Sequence, residues 1–227
     1  MIVNDTITGL IVVALGYLIG SFPSAYVVTR LVKGKDIREL GTGHTGRGNV
    51  GARNVFVNVG KVAGAVVAFL DILKGSGTVL LAEWLLGWPQ PSDPTLRSSL
   101  AFALAAGLAA VVGHIWPVYI NFKGGAGLAT AIGVMAIVST RELAFALSIT
   151  VVLLFVTRNV LLSANLSMLT IPIWAAFGGL GWWMVIYPLV MAALMFGHFL
   201  PNVVAEFRKA GNVERLMASL IHRAPRK

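Results

Sequence analysis

Two stretches of this 227-residue chain mix cations with glycine in a way that suits anion chemistry. The first, GKDIRELGTGHTGRGNVGARNVFVNVGK from Gly34 to Lys61, sets Arg47, Asn49, Arg53 and Asn54 among Gly41, Gly43, Gly46, Gly48 and Gly51. Arginine presents a planar fork that takes two phosphate oxygens at once, and glycine lets backbone N–H groups close around an anion. The second, NFKGGAGLAT from Asn121 to Thr130, supplies one cation, Lys123, then Gly124 and Gly125, then a helix start whose first N–H groups lack intrahelical partners. Each stretch also has a plainer reading. The first could be a basic loop lying on lipid head groups, and the second a tight helical hairpin whose small residues serve packing.

Other ionisable groups sit inside apolar runs. Asp71 and Lys74 stand at i, i+3, where they can pair on one helix face, either as functional groups within a membrane or as a self-neutralised packing pair. His114, in GHIWP, ends one apolar run near the Lys123 turn, and His198, in FGHFLPN, lies in the last. The chain has no cysteine, no metal-ligand spacing, no Walker-type phosphate loop and no nucleophilic triad, so no metal site is expected.

Composition fixes the setting of these groups. The chain is 57% hydrophobic and only 12% charged, about half the charge of an ordinary soluble domain. Charge-free runs such as Gly9 to Val28 are about as long as a bilayer-crossing helix, roughly 20 residues. The run-and-break pattern predicts an all-α integral membrane protein with seven helices near 7–30, 60–86, 99–120, 125–139, 142–157, 161–178 and 182–200. They form a single polytopic domain over 1–227, with a basic tail over 201–227. All Lys and Arg except Lys74, Arg97 and Arg141 fall in loops of one side or in the tail. By the positive-inside rule the N-terminus is then outside and the C-terminus cytoplasmic, and the net charge of +9 reflects loops facing anionic lipid, not nucleic acid.

Taken together, GYLIGSFPSAYVVTRLVKGKDIRELGTG (Gly16 to Gly43), NVFVNVGKVAGAVVAFLDILKG (Asn54 to Gly75), GHIWPVYINFKGGAGLATAIGV (Gly113 to Val134) and HFLPNVVAEFRKAGNVE (His198 to Glu214) resemble the bacterial acyl-phosphate-dependent glycerol-3-phosphate acyltransferases, the PlsY family. The resemblance implies a multi-pass enzyme of the bacterial plasma membrane with a cytoplasm-facing groove. Such an enzyme passes an acyl group from acyl phosphate to glycerol 3-phosphate, gives lysophosphatidate, and uses no cofactor, metal or acyl carrier.

The same resemblance implies catalytic roles for Thr42, Arg53 and Lys123. It implies substrate-binding roles for Gly43, Arg47, Asn49, Asn54, Gly124, Gly125, His198 and Asn202. The family's glycine-rich motif fits in two registers, over Gly41 to Val50 and over Gly46 to Val55, as a five-residue local duplication would give. Three family positions carry other residues here: Val57 for an arginine, Ala126 for the second lysine of the turn, and Leu161 for a serine. The alternative reading is a non-catalytic relative that binds a phosphorylated lipid or acyl phosphate.

Overall fold

The computed structural model describes the backbone of residues 2–40, 49–87, 96–158, 160–179 and 181–210. Among these residues every regular element is helical, in two compact units, Met1–Val138 and Ser139–Lys227. Four stretches are long and apolar enough to cross a membrane: Thr6–Lys33, Lys61–Leu86, Ser99–Ile120 and Thr140–Thr157. Three shorter apolar helical stretches follow the same pattern: Leu128–Val138, Leu162–Phe177 and Trp182–His198.

The first unit holds α1 (Ile2–Gly20), α2 (Ser24–Lys33), the short α3 (Ala52–Asn58), α4 (Lys61–Leu86), α5 (Leu96–Ile115) and α6 (Leu128–Val138). Lipid tails are as apolar as leucine, so helices in a bilayer associate through close van der Waals contact, which small residues permit. Gly16 and Gly20, one turn apart on α1, lie against Ala106 and Ala110, one turn apart on α5. A Cβ on Gly20 would stand 2.1 Å from the Ala110 carbonyl oxygen. The α4–α6 contact has the same form, with Gly75 against Thr130 and Gly133 against Ile72. Gly20→Leu should therefore separate α1 from α5. Thermal unfolding in detergent is expected to show a loss of at least the roughly 1–3 kcal/mol typical of overpacking, and a wild-type midpoint would refute the contact.

The first apolar run differs from its sequence expectation of one helix over 7–30. It divides at Ser21–Pro23, because proline lacks the N–H that would continue the helix and its ring crowds the preceding turn. The α2 helix then ends on Gly34 in the left-handed region, whose N–H returns to the Arg30 carbonyl.

The second unit holds α7 (Thr140–Thr157), α8 (Val160–Met168), α9 (Ile171–Phe177) and α10 (Trp182–Ala210). The expected helix over 161–178 is likewise broken, before Pro172 in the first turn of α9. Hydroxyls join its helices: Thr157 Oγ1 lies 2.7 Å from Ser163 Oγ, Thr150 bonds Ser167, and Thr170 Oγ1 donates to the Ser167 carbonyl at 2.6 Å. Ser163, near the family's serine position, is fully buried in this seam.

Candidate active site around the Lys123 turn

The Lys123 turn is built by the end of α5. That helix leaves carbonyls without intrahelical donors, and the following chain folds back to supply them. The N–H groups of Gly125 and Gly124 donate to the His114 and Ile115 carbonyls at 3.1 and 3.2 Å, and that of Phe122 donates to Pro117 at 2.9 Å. Asn121 and Phe122 take positive φ to make the reversal, a conformation that costs any residue with a Cβ.

Gly124 and Gly125 are buried beneath it. A Cβ on Gly124 would lie 2.1 Å from the His114 carbonyl oxygen, and one on Gly125 would lie 2.4 Å from His114 Nε2 and 2.6 Å from the Val50 carbonyl oxygen. The glycines thus serve the hairpin, as the packing reading held, and their N–H groups are committed to α5. What the turn offers an anion is the Lys123 side chain, which is exposed.

The first loop reaches the turn at two points. Val50 N–H donates to the Gly124 carbonyl at 3.3 Å, and Arg38 Nη1 donates to the Ile120 carbonyl at 3.4 Å. Asn54 is buried on α3, and its amide donates to the carbonyls of Asn49, Ile37 and Leu40 at 2.8, 3.2 and 3.4 Å, while its Oδ1 accepts from Asn58 at 2.6 Å. It acts as the clasp of the loop. Arg53, one residue earlier in the first turn of α3, is half-buried. Asn49 therefore lies beside the Lys123 turn through its neighbour Val50. Thr42, Gly43 and Arg47 lie outside the described residues. His198 and Asn202 belong to α10 in the second unit, where His198 is half-buried; the side chain of Asn202 is also outside the described part.

A fork of two bonds fixes the start of the loop. Asp36 Oδ2 accepts from Arg38 Nη2 at 2.6 Å and from Nε at 3.0 Å, and Oδ1 caps the helical turn at Ile37–Glu39 by accepting from Arg38 N–H at 2.9 Å. The guanidinium also stands 5.4 Å from the centroid of the Tyr26 ring. The Arg38 bonds hold the Asp36 carboxyl below its ordinary value, against the opposing effect of burial. Because the folded value is depressed, the stability this group adds is present above the ordinary carboxylate range, roughly pH 4. It is lost as the pH falls through the lower folded value. Asp36→Asn should accordingly be less stable than wild type at pH 7, with the gap closing in acid. Melting temperatures in detergent from pH 7 to pH 3 check this; a gap constant with pH would contradict it.

Sequence reading did not assemble the polar cluster beneath the turn. The expected Asp71–Lys74 pair forms, with Lys74 Nζ 2.9 Å from Asp71 Oδ1. The same carboxylate oxygen accepts from Ser24 Oγ at 2.5 Å and lies 3.5 Å from His114 Nδ1. Thr130 Oγ1 lies 3.1 Å from that nitrogen, and Lys74 also donates to the Phe22 carbonyl at 3.1 Å. A cavity of about 10 Å³, on the order of one water, opens among Ser24, Lys74, His114 and Gly124. Among the described residues no three His, Asp or Glu side chains group as metal ligands.

Comparison with known proteins identifies the family. The family model described as glycerol-3-phosphate acyltransferase matches residues 10–219. A glycerol-3-phosphate acyltransferase of Prochlorococcus marinus (strain NATL1A) is 38% identical over 164 residues, covering 72% of this chain and 75% of that one. One of Desulforudis audaxviator is 34% identical over 208 residues, covering 92% and 91%. The crystal structure of PlsY, an integral membrane glycerol 3-phosphate acyltransferase, in its glycerol 3-phosphate form superposes with a TM-score of 0.75 at 30% identity, covering 95% of each chain. Its lysophosphatidic acid form gives 0.72 at 29%. With a matching family model over nearly the whole chain and relatives alike from end to end, this chain belongs to the glycerol-3-phosphate acyltransferase family.

Proposed function

We propose that this membrane acyltransferase moves an acyl group from acyl phosphate to glycerol 3-phosphate in phospholipid synthesis. The acceptor hydroxyl oxygen bonds the acyl carbon, the bond from that carbon to the phosphate oxygen breaks, and the hydroxyl proton ends on the phosphate released. Both substrates carry phosphate, so the protein's task is to hold two anions close together and in line. The observation that carries this reading is the Val50–Gly124 hydrogen bond, which joins the glycine-rich loop to the turn that presents Lys123.

Lys123 and Arg53 supply the charge, while Asn54, Gly124 and Gly125 place them. Thr42, Gly43, Arg47 and Asn49 add donors from the first loop. Arg53 and Arg47 stand in for the family arginine at Val57, and Lys123 works without the second lysine, at Ala126. Purified protein given acyl phosphate and glycerol 3-phosphate should release inorganic phosphate and form lysophosphatidate in equal amounts. Binding of either substrate without turnover would favour the non-catalytic alternative.

The three shorter apolar stretches complete seven spans beside the four long ones, in a bacterial plasma membrane, with the N-terminus outside and the basic tail in the cytoplasm. Single cysteines at positions 4 and 220 of this cysteine-free chain test the orientation. An impermeant reagent should label intact cells at 4 only, and labelling at 220 with protection at 4 would reverse it.

A further inference from the structure

The cluster around Asp71 belongs to none of the residues assigned above to substrate. Asp71 is 1% exposed, and its Oδ1 gathers Ser24 of α2, Lys74 of α4 and His114 of α5, while Thr130 of α6 meets the same imidazole. Four helices therefore converge on one carboxylate oxygen and one ring. A buried charge pair is a weak device for stability alone, since apolar side chains of similar volume often pack as stably. Its distinctive product is fixed orientation.

That orientation is passed to the Lys123 turn through Gly125. The His114 carbonyl accepts the Gly125 N–H at 3.1 Å, and the Nε2 edge of the same ring lies against Gly125 where any side chain would collide. Main chain and side chain of one residue thus grip the turn two positions after Lys123. Asp71 Oδ1 and Thr130 Oγ1, both on the Nδ1 side of the ring, together set its angle. Lys74, through the Phe22 carbonyl, ties the same cluster to the α1–α2 break.

We infer that Asp71 and His114 are positioning residues for acyl transfer, holding the Lys123 turn where its ammonium meets substrate phosphate. This rests on the reading of Lys123 as a phosphate-holding group. A misplacement of about 1 Å in such a group can cost on the order of a hundredfold in rate.

A double-mutant cycle between His114 and Lys123 tests the coupling, because a merely structural loss would add to the loss at Lys123. His114→Asn keeps a donor for Asp71 and removes the ring edge facing Gly125. The values of kcat and KM for glycerol 3-phosphate are measured for wild type, His114→Asn, Lys123→Ala and the double variant. Each single change is expected to lower kcat/KM about ten- to a hundredfold, and the double variant to be no worse than the worse single. Losses that multiply, or wild-type kinetics in His114→Asn, would overturn the inference.

Should His114→Asn not fold, the charge-neutral Asp71→Asn/Lys74→Met pair takes its place in the cycle and is read the same way. A wild-type chain with no turnover would refute the proposed function. Glycerol 3-phosphate affinity in the same four proteins then decides the coupling by the same criterion, and no binding by wild type would overturn both.

Discussion

Asp71→Ala is expected to cost this protein roughly 3–5 kcal/mol, the usual consequence of leaving one buried charge without its partner. The reason lies in the partners of Lys74 Nζ. Its ammonium is buried in the middle of α4, 2.9 Å from Asp71 Oδ1 and 3.1 Å from the Phe22 carbonyl. Among the described residues, removing the carboxylate leaves the ammonium with one neutral acceptor, and it also strips Ser24 and His114 of their shared one. A loss of that size is a large part of a typical folding free energy of about 5–15 kcal/mol. Thermal unfolding in detergent should show Asp71→Ala far below wild type, while Asp71→Asn/Lys74→Met, with no charge left to bury, recovers most of the difference. A single variant as stable as wild type would mean that the pair carries no such energy.

Lys123→Ala should have the opposite profile, an intact fold with impaired chemistry. The side chain is exposed and the turn is held by backbone bonds, so stability should change by no more than about 0.5 kcal/mol, as at ordinary surface sites. A charge-assisted bond to phosphate is worth roughly 1.5–3 kcal/mol, which corresponds to about a ten- to hundredfold loss in affinity or in kcat/KM. Arg53→Ala should lose a similar amount. Steady-state phosphate release with glycerol 3-phosphate varied separates these from folding effects, and wild-type kinetics in both variants would remove the two residues from the site.

The all-helical, apolar architecture was legible because bilayer thickness dictates helix length, and the four long apolar stretches stood out by length and composition. The breaks before Pro23 and Pro172 were visible as prolines, yet the flanking residues are so apolar that each run reads as one helix. Asp71 and Lys74 could be paired from their spacing on a single helix. Ser24 and Thr130 could not be, since a hydroxyl in an apolar run carries no periodic signal and Ser24 is 47 positions from its partner.

The glycines of the Lys123 turn show a different kind of gap. A Cβ on either would collide with neighbouring backbone, but a sequence does not say what approaches. The answer came from the carbonyls at the end of α5 that lack intrahelical donors, which claim the N–H groups of Gly124 and Gly125. Asn54 likewise reads as a polar group available to substrate, whereas its amide is occupied by three loop carbonyls.

If the glycine-rich loop and the Lys123 turn form one phosphate-holding site, a crystal structure of this chain with glycerol 3-phosphate should place phosphate oxygens within hydrogen-bonding distance, about 3 Å, of both Lys123 Nζ and the Arg53 guanidinium, beside the Val50–Gly124 junction. A phosphate bound away from both cations would contradict it.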